Sequence, residues 1–127
     1  MLKPQNRLRK MKDIEILFKE GRFVGGDLVT LKLWWIDPDK YPRREYSKND
    51  LKFGFVVGKK VSKSAVKRNR VKRQMREVIR LLLKDAKIKD GAMVSVIAKP
   101  SSLGASYEDI EKSIVDVLRK GRLLQNT

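Results

Sequence analysis

Apolar residues change their period from segment to segment along the chain, and each change marks an element. In residues 13–20, Ile14, Leu17 and Phe18 recur at helical spacing, and Gly21 can end that helix. Residues 28–36 alternate: Val29, Leu31, Leu33 and Trp35 point one way, and Leu28, Thr30, Lys32, Trp34 and Ile36 the other. The first set is expected on the core face. A second strand spans 51–58, with Leu51, Phe53, Phe55 and Val57 inward and Lys52, Gly54, Val56 and Gly58 outward. The two glycines mark either a bend or a close approach by another chain or a ligand. Val71, Met75, Val78, Ile79 and Leu82 make the apolar stripe of a helix over 68–84. Residues 92–98 are apolar throughout, as in a strand buried on both faces. Ser106, Tyr107, Glu108 and Asp109 form a capping-box-like start to a last helix, whose stripe is Ile110, Ile114, Val117 and Leu118.

Between these elements, residues 7–12 are basic and extended, 22–27 can hold a short extra strand, and 37–50 is a charged loop with two prolines. The fold class is α+β: a single-domain α/β sandwich in the order α-β-β-(β)-α-β-α, with helices packed on one sheet. One domain over residues 1–127 fits the length. Its parts are a basic N-terminal segment (1–12), the charged loop (37–50), and a basic segment with its helix (59–84).

Composition narrows the chemistry. The chain has no cysteine and no histidine, which excludes disulfides, thiolate metal sites and histidine-based nucleases. With no apolar run of membrane length and no signal-like N-terminus, a soluble cytoplasmic protein without a membrane partner is expected. Lys plus Arg number 31 against 15 acids, a net charge of +16. Such an excess opposes compaction unless a polyanion neutralises it. Membrane binding would need bulky apolar residues free to insert, and here they are committed to a core. Nucleic acid is the expected partner.

Between Lys59 and Arg76 there are nine basic residues and no acid: Lys59, Lys60, Lys63, Lys67, Arg68, Arg70, Lys72, Arg73 and Arg76. Lys72, Arg76 and Arg80, spaced by four, form a ridge opposite the apolar stripe, with Arg73 beside them. A solvated face normally mixes signs, as the last helix does. Here only Glu77 breaks the run. Placing Arg68, Asn69 and Arg70 at the start of the helix would give phosphate both forked guanidinium groups and free backbone N–H groups. The Asn69 amide could bond base edges or a 2′-hydroxyl.

The stretch Phe53-Gly54-Phe55-Val56-Val57-Gly58-Lys59-Lys60, followed by Ala65 to Arg73 and Arg76-Glu77, resembles the signature of bacterial ribonuclease P protein subunits. Asn6 to Lys10, Asp13, Phe18, Gly21, Ala98-Lys99-Pro100 and Tyr107-Glu108 extend the resemblance over nearly the whole chain. It implies a fold similar to a domain of ribosomal protein S5, with a left-handed βαβ crossover. It implies partnership with a catalytic RNA that removes the 5′ leader of precursor tRNA, no required protein partner, and Mg²⁺ held mainly by the RNA. The protein would supply no catalytic residue. The basic residues just named, with Asn69, would face the catalytic RNA. A cleft of Ile14, Phe18, Thr30, Lys32, Trp34, Val56 and Gly58, with Lys60 on the same side, would hold the single-stranded leader. Two positions depart from the family pattern, which often has Phe at Ile14 and an aromatic at Lys32, so weaker base stacking offset by charge is expected.

Rival readings are a carboxylate nuclease using some of Asp13, Glu15, Asp37, Asp39, Asp50 and Asp109, a ribosomal or RNA-assembly protein, and a DNA-binding regulator.

Overall fold

The computed structural model describes residues 2–125. Its elements are α1 (Met11–Glu20), β1 (Arg22–Gly25), β2 (Val29–Trp35), β3 (Leu51–Val56), α2 (Ala65–Lys84), β4 (Ala92–Ala98) and α3 (Tyr107–Lys120). The anticipated order is present, and the short strand expected within 22–27 is β1. The strands form one mixed sheet in the order β1-β2-β4-β3. β1, β2 and β4 pair antiparallel, while β3 and β4 run parallel through the α2 crossover.

The pleat decides what lies on each side. One face carries Val24, Leu31, Leu33, Phe53, Val94 and Val96, and α2 and α3 cover it with Val71, Met75, Val78, Ile79, Ile110, Ile114, Val117 and Leu118. Burying such side chains is worth about 1.5–3 kcal/mol each, which makes this layer the main source of stability. On the other face, α1 sets Ile16 and Leu17 against Trp34, Ile36 and Met93. β4 is buried on both faces, as its uninterrupted apolar run requires.

Four expectations are corrected. Residues 11 and 12, expected to be extended, open α1, where the Lys10 carbonyl accepts the Ile14 N–H. Trp35 is 39% exposed, whereas Trp34 is buried. β1 ends opposite Leu33, so Trp35 has a strand neighbour on the β4 side alone. The second long strand stops at Val56 rather than Gly58, because the Gly58 carbonyl accepts the Val61 N–H and turns the chain. The basic helix begins at Ala65, not Arg68. Ser64 caps it by accepting the Lys67 N–H, and nothing from Ala65 to Lys67 opposes helix.

The free edge of β3 is partly closed by the N-terminal segment. Arg7 bridges Phe53, the Leu8 N–H donates to the Phe53 carbonyl, and the Asn6 amide donates to the Leu51 carbonyl. Here Gly54 has its reason. A Cβ at that position would stand 3.2 Å from Leu8 Cδ2, so a side chain there would force the Leu8 side chain to shift. The close approach inferred from the glycine is thus made by the chain's own N-terminal segment.

Candidate nucleic-acid interface

The outward side of α2 and the turn before it carry one sign of charge. Lys59, Lys60, Lys63, Lys67, Asn69, Arg70 and Arg73 are exposed, and Lys72 and Arg76 are half-buried. Among the described residues, none of these cations joins an ion pair. Arg80 differs: it is bound to Glu77 three residues before it and drops out of the expected ridge.

The Arg68-Asn69-Arg70 triplet divides. With the helix starting at Ala65, the Arg68 N–H donates to the Ser64 carbonyl at 3.0 Å. These backbone amides lie in the helical ladder, so the free N–H groups expected at the triplet are not available there. The Arg68 guanidinium also turns inward, donating to the carbonyls of Ser62 (2.9 Å) and Lys63 (3.0 Å). It ties the preceding basic turn to the helix. Asn69 and Arg70 face solvent.

The second surface lies across the sheet, where α1 leaves the outer face partly uncovered. One row of side chains crosses all four strands as Phe23, Lys32, Ser95 and Gly54, and the next as Gly25, Thr30, Ile97 and Val56. Phe18 of α1 overhangs the first row. Lys32 lies with Nζ 3.9 Å from the Phe23 ring centroid and 5.9 Å from that of Phe18. This arrangement holds its stem down and its charge over two aromatic faces. Phe18 and Phe23 remain 41% and 62% exposed.

Of the residues expected in this cleft, Phe18, Thr30, Lys32 and Val56 come together, and Ile14 is half-buried on α1. Trp34 does not belong. Tyr41 and Tyr46 pack edge-on against its ring, both at 5.8 Å between centroids, and close that end of the face. Gly58 sits beyond the strand in the exposed turn, together with Lys60. Phe23 and Ile97 belong to this surface as well, whereas Ser95 is buried beneath it. Phe23 restores the aromatic whose absence at position 32 had suggested weaker stacking. It does so from the neighbouring strand, through the pairing of Phe23 with Lys32.

The charged loop is what holds the α1 wall in place. Asp13 accepts from the Tyr46 hydroxyl and from Arg44 Nη2, both at 2.6 Å. One end of α1 further on, Glu20 accepts from the Tyr41 hydroxyl (2.6 Å) and Lys40 Nζ (2.7 Å). Two carboxylates on one helix thus each take a tyrosine and a cation from the loop, and both tyrosines also cover Trp34. Burial pushes the Asp13 carboxyl up, but the Tyr46 hydroxyl and Arg44 guanidinium outweigh it and hold the group below its ordinary value. Ionised Asp13 therefore stabilises the fold above about pH 4, the unfolded value, and that stability is lost as pH falls through the lower folded value. Asp13→Asn should cost about 1–3 kcal/mol at neutral pH, as for other hydrogen bonds to buried charge. It should also flatten the acid limb of stability against pH in thermal melts. An acid limb identical to that of the parent would assign the stabilisation to another carboxylate.

The other acids considered for a metal site do not gather into one cluster among the described residues. Glu15 pairs with Lys12, Asp37 accepts from the Asp39 N–H, and Asp50 from the Ser47 N–H. Among the described residues, no three acids gather where they could hold a metal ion, and no helix is long and apolar enough to cross a membrane.

Similarity to known proteins identifies the family. Residues 2–122 match the family described as Ribonuclease P. The ribonuclease P protein component of Pseudanabaena sp. is 34% identical over 98% of this chain and 97% of its own length. That of Clostridium botulinum is 34% identical over 91% and 94%. Among solved structures, the Staphylococcus aureus RNase P protein superposes with a TM-score of 0.74 at 23% identity, covering 94% of this chain and 97% of that one.

Proposed function

The chain belongs to the ribonuclease P protein family, and from that premise we propose that its two surfaces bind two different RNAs. As a protein component of ribonuclease P it acts with the enzyme's RNA in 5′ maturation of tRNA, in an endoribonuclease whose catalytic centre is the RNA. Membership sets aside the ribosomal-assembly reading, which bulk charge alone fitted equally well.

In the proposed division, the outer side of α2 and the turn before it grip the catalytic RNA. The cleft of Phe18, Phe23, Thr30 and Lys32 takes the single-stranded 5′ leader of precursor tRNA. Exposed aromatics beside a lysine suit bases and phosphates of any sequence, which a site serving many leaders needs. Mg²⁺ belongs mainly to the RNA, where it activates the attacking water. The protein contributes charge and position rather than a general acid or base. On this reading the place of work is the cytoplasm. The observation that carries the proposal is the placement of the unpaired basic face and the open aromatic cleft on opposite sides of one sheet.

A Mg²⁺ titration of leader removal tests it. Adding the protein to a bacterial ribonuclease P RNA should shift the curve to lower Mg²⁺, because the protein's cations replace part of the screening the RNA needs. Protein stripped of RNA should leave precursor tRNA uncut at every Mg²⁺ concentration. An unshifted curve, or cleavage by the stripped protein, would contradict the proposal.

A further inference from the structure

Two charged side chains are buried among the described residues, Asp13 and Lys32. Asp13 has its partners in the Tyr46 hydroxyl and the Arg44 guanidinium. Lys32 has no counterpart to these. It is 7% exposed and joins no ion pair among the described residues. The lysines whose side chains donate hydrogen bonds there are Lys40, Lys99 and Lys120. A buried ammonium without an acceptor is unfavourable, and contact with aromatic faces offsets only part of that penalty. The fold thus leaves three N–H donors in the cleft without an acceptor of its own.

Shape decides what can reach them. Lys32 lies in the row Phe23, Lys32, Ser95, Gly54. Phe23 bounds that row at the β1 end, Leu8 lies over Gly54 at the β3 end, and Phe18 overhangs it. The ammonium therefore belongs to the floor, and the two rings form its exposed rim. The phosphates of a strand laid along this rim stay outside, near exposed cations such as Lys60. A base turned inward stacks on a ring and presents its edge to the floor. An ammonium grades such edges by their acceptors. Guanine offers O6 and N7 side by side, whereas adenine sets an N6 donor beside N7. At the same edge uracil has one acceptor, O4, and cytosine has a donor.

We infer that Lys32 makes the cleft selective for guanine at one position of the leader, its ammonium donating to O6 and N7 while the base stacks on Phe18 or Phe23. The inference rests on the reading that this cleft holds the leader. Selection is graded, because the rings receive any base. Leaders without the guanine are held more weakly and are still processed.

The test is the affinity of the holoenzyme for precursor tRNAs in which each leader position carries each base in turn. At one position guanine should bind about fivefold or more tighter than adenine. There, inosine, which keeps both acceptors, should match guanine, and 2-aminopurine, which lacks O6, should match adenine. Lys32→Met fills similar space without a donor and should erase the preference. The analogue series needs no variant, so it decides the matter even where Lys32→Met fails to fold. A parent holoenzyme with no guanine preference at any position would overturn the inference. A preference that persists in Lys32→Met, or that the catalytic RNA shows without protein, would belong to the RNA and equally overturn it. A Lys32→Met loss equal for all bases would make Lys32 a phosphate contact, ending base selection while keeping the cleft as the leader site. Long-leader and leaderless precursors bound by folded Lys32→Met holoenzyme in the parent ratio would remove Lys32 from the leader site altogether, and the cleft reading would fail with it.

Discussion

Replacing Arg70 and Arg73 together with alanine should weaken assembly with ribonuclease P RNA by about 2–6 kcal/mol, or about thirtyfold at the low end. Both side chains are exposed on α2 and, among the described residues, neither has an acidic partner, so their N–H groups are open to phosphate. A charge-assisted contact of this kind is worth about 1–3 kcal/mol, and the upper figure is the full sum of two neighbouring contacts that share one backbone. The fold should be intact, because neither side chain packs in the core. Excess protein should restore leader removal, since assembly rather than chemistry is impaired. Affinity unchanged in a catalytic-RNA titration would remove α2 from the interface. Arg68→Ala is not an equivalent probe. That guanidinium binds the Ser62 and Lys63 carbonyls, so its loss would loosen the basic turn as well as remove a charge.

Phe18→Ala combined with Phe23→Ala should leave assembly intact and instead remove the gain in precursor affinity that a leader of several nucleotides provides. Losing a stacked base costs about 1–3 kcal/mol, so the gain should drop by tenfold or more. Both rings are substantially exposed, and neither belongs to the buried layers. The contrast is Phe53→Ala, 2% exposed in the main core, which should cost about 3–5 kcal/mol of stability and impair everything together. An unfolded Phe18→Ala by circular dichroism would make that ring a packing residue. Lys32→Ala should show the leader defect too, since its ammonium stands over both rings.

Much of this architecture is legible from periodicity. The alternation of Val29, Leu31 and Leu33 and the stripe of Ile110, Ile114, Val117 and Leu118 are packing rules written in spacing, and burial follows them. What escapes is set by contacts distant in sequence. Trp34 and Trp35 are adjacent and chemically identical, and only the end of β1 and two tyrosines from residues 41 and 46 decide which is buried. Phe23 joins the cleft through a hairpin register that no local motif specifies. The α2 start was legible in principle, since Ser64 before Ala65 is an ordinary N-cap. The density of basic residues around Arg68 masks that start in the sequence. The loop over residues 37–50 reads as charged and irregular because its order comes from partners on α1. Asp13 and Glu20 turn it into a strap that holds one wall of the cleft.

That the two surfaces serve two RNAs is tested most directly by forcing assembly of the variant damaged on one surface and reading the other. Arg70→Ala/Arg73→Ala holoenzyme, formed with saturating protein, should be titrated with precursor tRNA bearing a long leader and with leaderless tRNA. The ratio of the two affinities should equal that of the parent holoenzyme, because the cleft of Phe18, Phe23 and Lys32 is untouched. A ratio that falls to that of the RNA alone would mean that α2 and the cleft act on the same RNA, and the division between surfaces would be wrong.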